Sequence, residues 1–295
     1  MMDMIRAHLP VFDFFLLALG FAYSQQIVLR CGVFSLATAA YGALGAYACA
    51  LLLTRSGLPA PVAVLAAVSI GSLAGWLVSV PLARLRGVYQ AIATLALVEV
   101  IASLALYAEP LTGGAVGLNN IPKLVGTGEL LVAVLVVGYL MHAINGSGLG
   151  RSFDALRQDE MVAASLGVSS RRNHGLAFVL SGAIGGLFGA LQSLYAYSVQ
   201  PTQFGFAFMV ATLTAIILGG RRSLLGPAIG AGILTVLPEI ARPLAEFRPL
   251  VNGLIMILVV VFLPQGVGDA LLGALRHRRV RLAALSAKEV PHVSA

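Results

Sequence analysis

The chain has 295 residues, 59% of them hydrophobic and 11% charged, with a net charge of +7 from 19 basic and 12 acidic residues. An ordinary soluble domain is roughly a quarter charged, and one of this length could not hide so much apolar surface. A soluble enzyme, a nucleic-acid module and a disordered chain are therefore excluded. The apolar runs are continuous rather than alternating, which leaves a polytopic, all-α membrane protein.

A membrane helix needs about 20 mostly apolar residues. In chain order, nine candidates lie at 11–29, 34–53, 61–81, 90–107, 129–145, 175–198, 205–219, 226–243 and 249–266. The first follows Arg6 and holds Phe14, Phe15, Leu16 and Leu17. No small-residue cleavage site follows it, so it is expected to be retained rather than removed as a signal peptide. The seventh and eighth are short and interrupted by glycine, which sets the expected range at eight to ten helices. Gly71 and Gly75, Gly182 and Gly186, Gly185 and Gly189, and Gly226 and Gly230 are each spaced four apart. Such pairs make smooth strips where another helix can come close. Cys31 and Cys49 sit inside apolar stretches without metal-ligand spacing and read as small buried hydrophobes.

With the long polar segment 146–174 placed inside, the inside loops and the C-terminal tail hold 14 of the 19 basic residues, leaving Arg6, Arg55, Lys123, Arg242 and Arg248 outside. That asymmetry puts the N terminus outside and the C terminus in the cytoplasm. The chain has no G-x-x-x-x-G-K-[ST] loop for nucleotide phosphates, no H-E-x-x-H zinc pattern and no run of intramembrane acids for a proton relay.

The polar segment is expected to form an amphipathic helix of about four turns over 151–167, capped by Ser152 and stopped by Gly167. Phe153, Leu156, Glu160, Ala163 and Ala164 fall near one face. Asp154, Asp159 and Glu160 are mixed with Arg151 and Arg157, and such mixed charge suits a protein groove better than anionic lipid.

Glu99 is the acid deepest in a predicted span, with Ser103 one turn further on the same face. A charge at a helix centre costs on the order of 3 kcal/mol on insertion scales, so the group must face protein or water or be protonated. Thr94, Glu99, Ser103, Ser181 and Gln192 are candidates for lining a translocation route; the alternative, favoured for Ser181 and Gln192, is polar bonding between packed helices. Thr112, Gly113 and Gly114 form either a flexible outward-facing entrance loop or a plain turn.

Glu160 to Gly167, with Ala163-Ala164 ahead of the glycine, resembles the cytoplasmic "EAA" loop of ABC-importer permeases. Arg84-Leu85-Arg86-Gly87-Val88-Tyr89-Gln90-Ala91-Ile92-Ala93-Thr94-Leu95, followed by Glu99 and by Leu111-Thr112-Gly113-Gly114, resembles the branched-chain amino acid permease family. Ser35-Leu36, Tyr41, Gly45-Ala46-Tyr47, Ala177 to Ser181, Gly226-Pro227 and Pro264-Gln265-Gly266 add matches in order, from about residue 32 to 268. Arg221-Arg222 departs from the uncharged residue and glycine usual after Gly219-Gly220.

The resemblance is to the M-type rather than the H-type permease. It implies a permease domain over 1–272 with a coupling segment at 150–174, and a basic cytoplasmic tail over 273–295. It implies a multi-pass subunit of the bacterial inner membrane, with a periplasmic N terminus and a cytoplasmic C terminus. This subunit would not be an enzyme and would bind no cofactor of its own, ATP and Mg residing on partner subunits. The implied partners are an H-type permease, two cytoplasmic ABC ATPases and a periplasmic binding protein. Arg151, Asp154, Arg157, Glu160, Ala163, Ala164 and Gly167 would couple the chain to the ATPases. Leucine, isoleucine and valine are the expected cargo, with urea, short amides or other small solutes as alternatives. A self-sufficient secondary transporter or channel is the rival class; it would need a coupling-ion site and symmetric halves, whereas the sequence shows one central acid and no clear repeat.

Overall fold

The computed structural model describes residues 2–220 and 223–240. In order, the helices are α1 (Met2–Arg30), α2 (Thr38–Ser56), α3 (Ala60–Leu82), α4 (Val88–Tyr107) and the short α5 (Glu109–Thr112). After a 3-10 turn at Gly114–Val116 come α6 (Thr127–Gly146), α7 (Gly148–Gln158), α8 (Glu160–Ser165) and α9 (Ser170–Ala196). A second 3-10 turn at Pro201–Phe204 leads into α10 (Phe206–Gly219) and α11 (Gly226–Ile240). The described residues form an all-helical bundle without strands; a lone antiparallel bridge joins Leu118 to Val199. Among them, six segments are long and apolar enough to cross a membrane: Leu9–Arg30, Ala60–Leu82, Val88–Tyr107, Thr127–Gly146, Ser170–Ala196 and Pro201–Gly219.

Eight of the nine predicted spans overlap described helices; the end of the eighth, 241–243, the ninth, 249–266, and the tail 273–295 lie outside the described residues. The second span is corrected at its start. Residues 31–37 are irregular, and α2 begins at Thr38 rather than at 34.

Helix α9 is the axis of the bundle, and glycine is the reason its neighbours come so close. A Cβ on Gly182 would run into the carbonyl oxygen of Gly71, one on Gly186 into that of Ala67, and one on Gly189 into that of Gly42. Backbones of α2, α3 and α9 thus touch directly, which gives dispersion contact without side-chain entropy loss. The same device joins α10 to α11, where a Cβ on Gly230 would meet the Ala215 carbonyl oxygen. On the other side of α9, Phe21, Phe188, Phe204 and Phe208 interlock, with the Phe21 and Phe208 rings 4.8 Å apart and perpendicular. The outward faces of α3 and α6 carry exposed Leu65, Trp76, Leu135 and Tyr139, as lipid-facing helices do.

The two ends of the bundle differ in charge. Arg30, Arg84, Arg86, Arg151, Arg157, Arg171 and Arg172 gather where α1 ends and α9 begins, beside α7 and α8. Among the described residues, the opposite end carries Arg55 and Lys123, with Arg6 near the start of α1.

Candidate functional site

The polar segment folds as two helices, not one. Ser147, rather than Ser152, caps α7, its hydroxyl accepting from Gly150 N at 3.4 Å; Ser152 lies inside the helix and donates to Gly148 O at 3.0 Å. The break falls at Asp159, which is extended at φ −158° and ψ 113°. Its carboxylate accepts from Met161 N at 2.8 Å and Val162 N at 3.1 Å. A short acidic side chain competing for backbone donors ends one helix and starts the next. Gly167 closes α8 at φ +85°, with Gly167 N bonded to Ala164 O and Val168 N to Ala163 O, both at 3.0 Å.

One face of this segment is fixed to the bundle. Phe153, Leu156 and Ala163 are buried. Asp154 takes two bonds from the guanidinium of Arg30, at 2.8 and 3.2 Å, and Arg30 is only 9% exposed. Glu160 stands 3.8 Å from Arg86 in an exposed pair. Glu160 also lies near Cys31, whose thiol pKa is pushed up mainly by burial and further by this carboxylate.

The opposite face is open. Arg151, Ala164 and Gly167 are exposed, Arg157 is half-buried, and Met161 and Leu166 are 76% and 77% exposed, with Val162 beside them. Ala163 and Ala164, taken together from the sequence, point to different surroundings because successive residues of a helix do not share a face; Ala163 is buried and Ala164 exposed. Met161, Val162 and Leu166 were missed; their signal was large apolar residues in a segment outside any predicted span. A cleft of about 320 Å³ runs between this segment and the start of α9, lined by Leu149, Ser152, Gly167, Arg172 and Leu176 among others.

The polar residues proposed to line a route separate into three settings. Ser181 and Thr94 are fully buried and act as fasteners. Ser24 Oγ donates to Ser181 O at 2.8 Å and lies 3.1 Å from Ser181 Oγ, tying α1 to α9. Thr38 Oγ1 donates to Gln25 Oε1 at 2.6 Å, while Gln25 Nε2 donates to Ser35 O. Leu36 N donates to Thr94 Oγ1 at 2.9 Å, and the Thr94 hydroxyl bonds back to Gln90 O at 2.8 Å. Glu99 and Ser103 lie on the exposed face of α4, between exposed Ile92, Val100 and Leu104. Gln192 is half-buried on α9, and its Oε1 meets no donor among the described residues. A further acid, Asp13, went unnoticed in the first span; it is buried on α1 against the Tyr195 hydroxyl.

The Thr112-Gly113-Gly114 stretch is a pinned turn rather than a flexible loop. The Thr112 hydroxyl bonds to Ala105 O at 2.5 Å and Ala108 O at 2.9 Å, and Arg55 donates to Pro110 O and Leu111 O. Gly113 stands at φ +74°, where a Cβ would strike the Gly117 carbonyl oxygen. Beyond it, Leu118 and Val199 exchange two bonds of 2.9 Å, and the Lys123 ammonium lies 5.5 and 5.1 Å from the ring centres of Tyr195 and Tyr197. Among the described residues, no three His, Cys, Asp or Glu side chains come together to hold a metal.

The geometry is that of a helical membrane bundle with a two-helix appendage at its arginine-rich end and an exposed carboxylate, Glu99, midway along a candidate span. Comparison with known proteins gives that architecture a family. The chain is 32% identical to the high-affinity branched-chain amino acid transport system permease protein LivM of Escherichia coli K12, over 80% of this chain and 63% of the relative. It thus spans less than two thirds of that relative's length. LivH of the same organism is 30% identical over 46% of this chain and 45% of its own length. The autoinducer 2 import system permease protein LsrC of Escherichia coli K12/DH10B is 26% identical over 72% of this chain and 67% of its own length. No solved structure gives a significant match. The profile of the branched-chain amino acid transport system permease component matches residues 9–263, nearly the whole bundle, and the chain belongs to that family.

Proposed function

We propose that this chain is the M-type, membrane-spanning permease subunit of an ATP-binding cassette importer. It moves branched-chain amino acids across the bacterial inner membrane by alternating access, driven by separate ATPase subunits that carry the ATP and Mg. The observation that carries this reading is the outer face of α8. Met161, Val162 and Leu166 project from the arginine-rich end while the other face of the segment is fixed to the bundle. Apolar surface held outside the candidate spans calls for a protein partner. The mixed charge of Arg151, Arg157 and Glu160 around it suits a groove on an ATPase.

The arginine-rich end is placed in the cytoplasm by the positive-inside rule, which puts the N terminus in the periplasm. The pinned turn at Thr112 then faces the periplasmic binding protein. Glu99 and Ser103 face the H-type partner permease or the water-filled route between the two subunits. Lipid is an unsuitable neighbour, because an unpaired carboxylate at a helix centre costs on the order of 3 kcal/mol. The longer match to LivM than to LivH supports the M-type reading. A second cargo reading draws on the likeness to LsrC, a permease for autoinducer 2, and extends the cargo to other small solutes.

The test is purification with the partner permease and ATPases. Leu166→Asp and Met161→Asp should release the ATPases while this chain and its permease partner stay together. Full retention of the ATPases by both variants would remove the support for a coupling role. Uptake of radiolabelled leucine, urea and autoinducer 2 then separates the cargo readings.

A further inference from the structure

The chain between α1 and α2 is neither helix nor surface loop. Cys31, Val33, Ser35, Leu36 and Ala37 are buried, and their irregular backbone is held by side chains from other elements. One end of this segment touches α7. Arg30, the residue before it, holds both carboxylate oxygens of Asp154. Gly32, at φ +87°, lies so close to Arg157 that a Cβ would sit 3.1 Å from the Arg157 Cα. The His174 side chain, at the start of α9, lies close to the Cys31 backbone. The other end touches α4, where Leu36 N donates to Thr94 Oγ1 at 2.9 Å, five residues before Glu99.

The segment therefore bridges α7 to the helix that carries the exposed carboxylate. A second link, from the appendage to the loop that leads into α4, pairs Glu160 with Arg86; it is longer at 3.8 Å and open to solvent, and such pairs hold little. The Arg30 pair is bidentate and its guanidinium is shielded, although the Asp154 carboxylate is 41% exposed, and fork-to-fork pairs fix orientation as well as distance. Shifting α7 while leaving Leu36 in place would require breaking charge-assisted bonds or pulling Gln25 away from Ser35 O.

We propose that Arg30 and residues 31–37 form a stiff joint that passes displacement of the α7–α8 segment to α4, with Arg30 and Thr94 as its positioning residues. This rests on the reading of α7–α8 as the coupling segment. Position between two sites is not by itself coupling, so the joint has to be tested by what nucleotide does at α4.

The experiment uses the full complex with its partner permease and ATPases, and reads the labelling rate of Ser103→Cys by a water-soluble maleimide with and without ATP and vanadate. Both native cysteines are buried, which keeps the background low. In the parent complex nucleotide should change the rate about fivefold or more, and in Arg30→Gln and Thr94→Val by less than about twofold, a typical span for allosteric coupling. ATPases should remain at parent stoichiometry. Thr94→Ser, which keeps the hydroxyl, and the swap Arg30→Asp with Asp154→Arg should restore the response. Arg30→Gln combined with Thr94→Val should be no worse than either alone.

A merely structural role would release the ATPases or alter labelling without nucleotide, and would leave the nucleotide response of the surviving complexes intact. If Arg30→Gln does not assemble, Arg30→Lys, which keeps the charge and loses the fork, is judged by the same criterion. A full nucleotide response in Thr94→Val and in the Arg30 variant overturns the joint. If instead the parent complex retains no ATPases, or nucleotide changes nothing in it, the importer reading is what fails.

Discussion

Replacing Gly167 with valine should loosen the end of α8 without any clash. The residue stands at φ +85°, and a Cβ there would meet nothing within 4 Å. The whole cost is thus that of a left-handed backbone, about 1–2 kcal/mol for a residue other than glycine, and no packing term adds to it. A change of that size lowers the equilibrium constant for closing the turn by about 5- to 30-fold. The sensitive probe is the Val168 amide, whose bond to Ala163 O exists only while the turn is closed. Its hydrogen exchange in the purified complex should quicken by the same factor, and ATPase retention should fall with it. Asparagine, which tolerates left-handed geometry, should come close to glycine. Unchanged exchange at Val168 in Gly167→Val would refute the argument. So would asparagine being as damaging as valine, because the effect would then come from the side chain's presence and not from the backbone.

Gly186→Leu should abolish close packing of α3 on α9, since even a Cβ there would strike the Ala67 carbonyl oxygen; overpacking of this kind costs typically about 1–3 kcal/mol, read as a lower melting temperature in detergent. Glu99→Gln should leave the complex assembled and lower uptake; normal uptake at normal yield would move Glu99 to a packing role. Reporter fusions at Leu9 and Leu275 should report opposite compartments, and the same compartment at both would defeat the proposed orientation.

The helices and their apolar character were legible from composition and run length, because each span must satisfy its own backbone in lipid and so declares itself locally. Close approach at Gly182, Gly186 and Gly189 was also legible, since a four-residue spacing keeps small residues on one face. The αL stop at Gly167 could be read for the same reason: its determinants lie within one turn. What could not be read was every feature set by partners distant in sequence. The break at Asp159 is a local cap, its carboxylate taking amides two and three residues on, but which of Ala163 and Ala164 meets the bundle is set by packing against distant elements.

The sequence left Thr94 and Ser181 readable as route-lining hydroxyls or as bonds between helices, and their partners Leu36 and Ser24 lie 58 and 157 positions away, beyond the reach of local pattern. Arg30 resembled any arginine of an inside loop, and only the folded chain brings it onto Asp154, 124 residues on. Periodicity and length carry one-dimensional information about burial. The choice among many possible polar partners is made by packing in three dimensions, where a buried donor or acceptor left unpaired is costly enough to fix which pair forms.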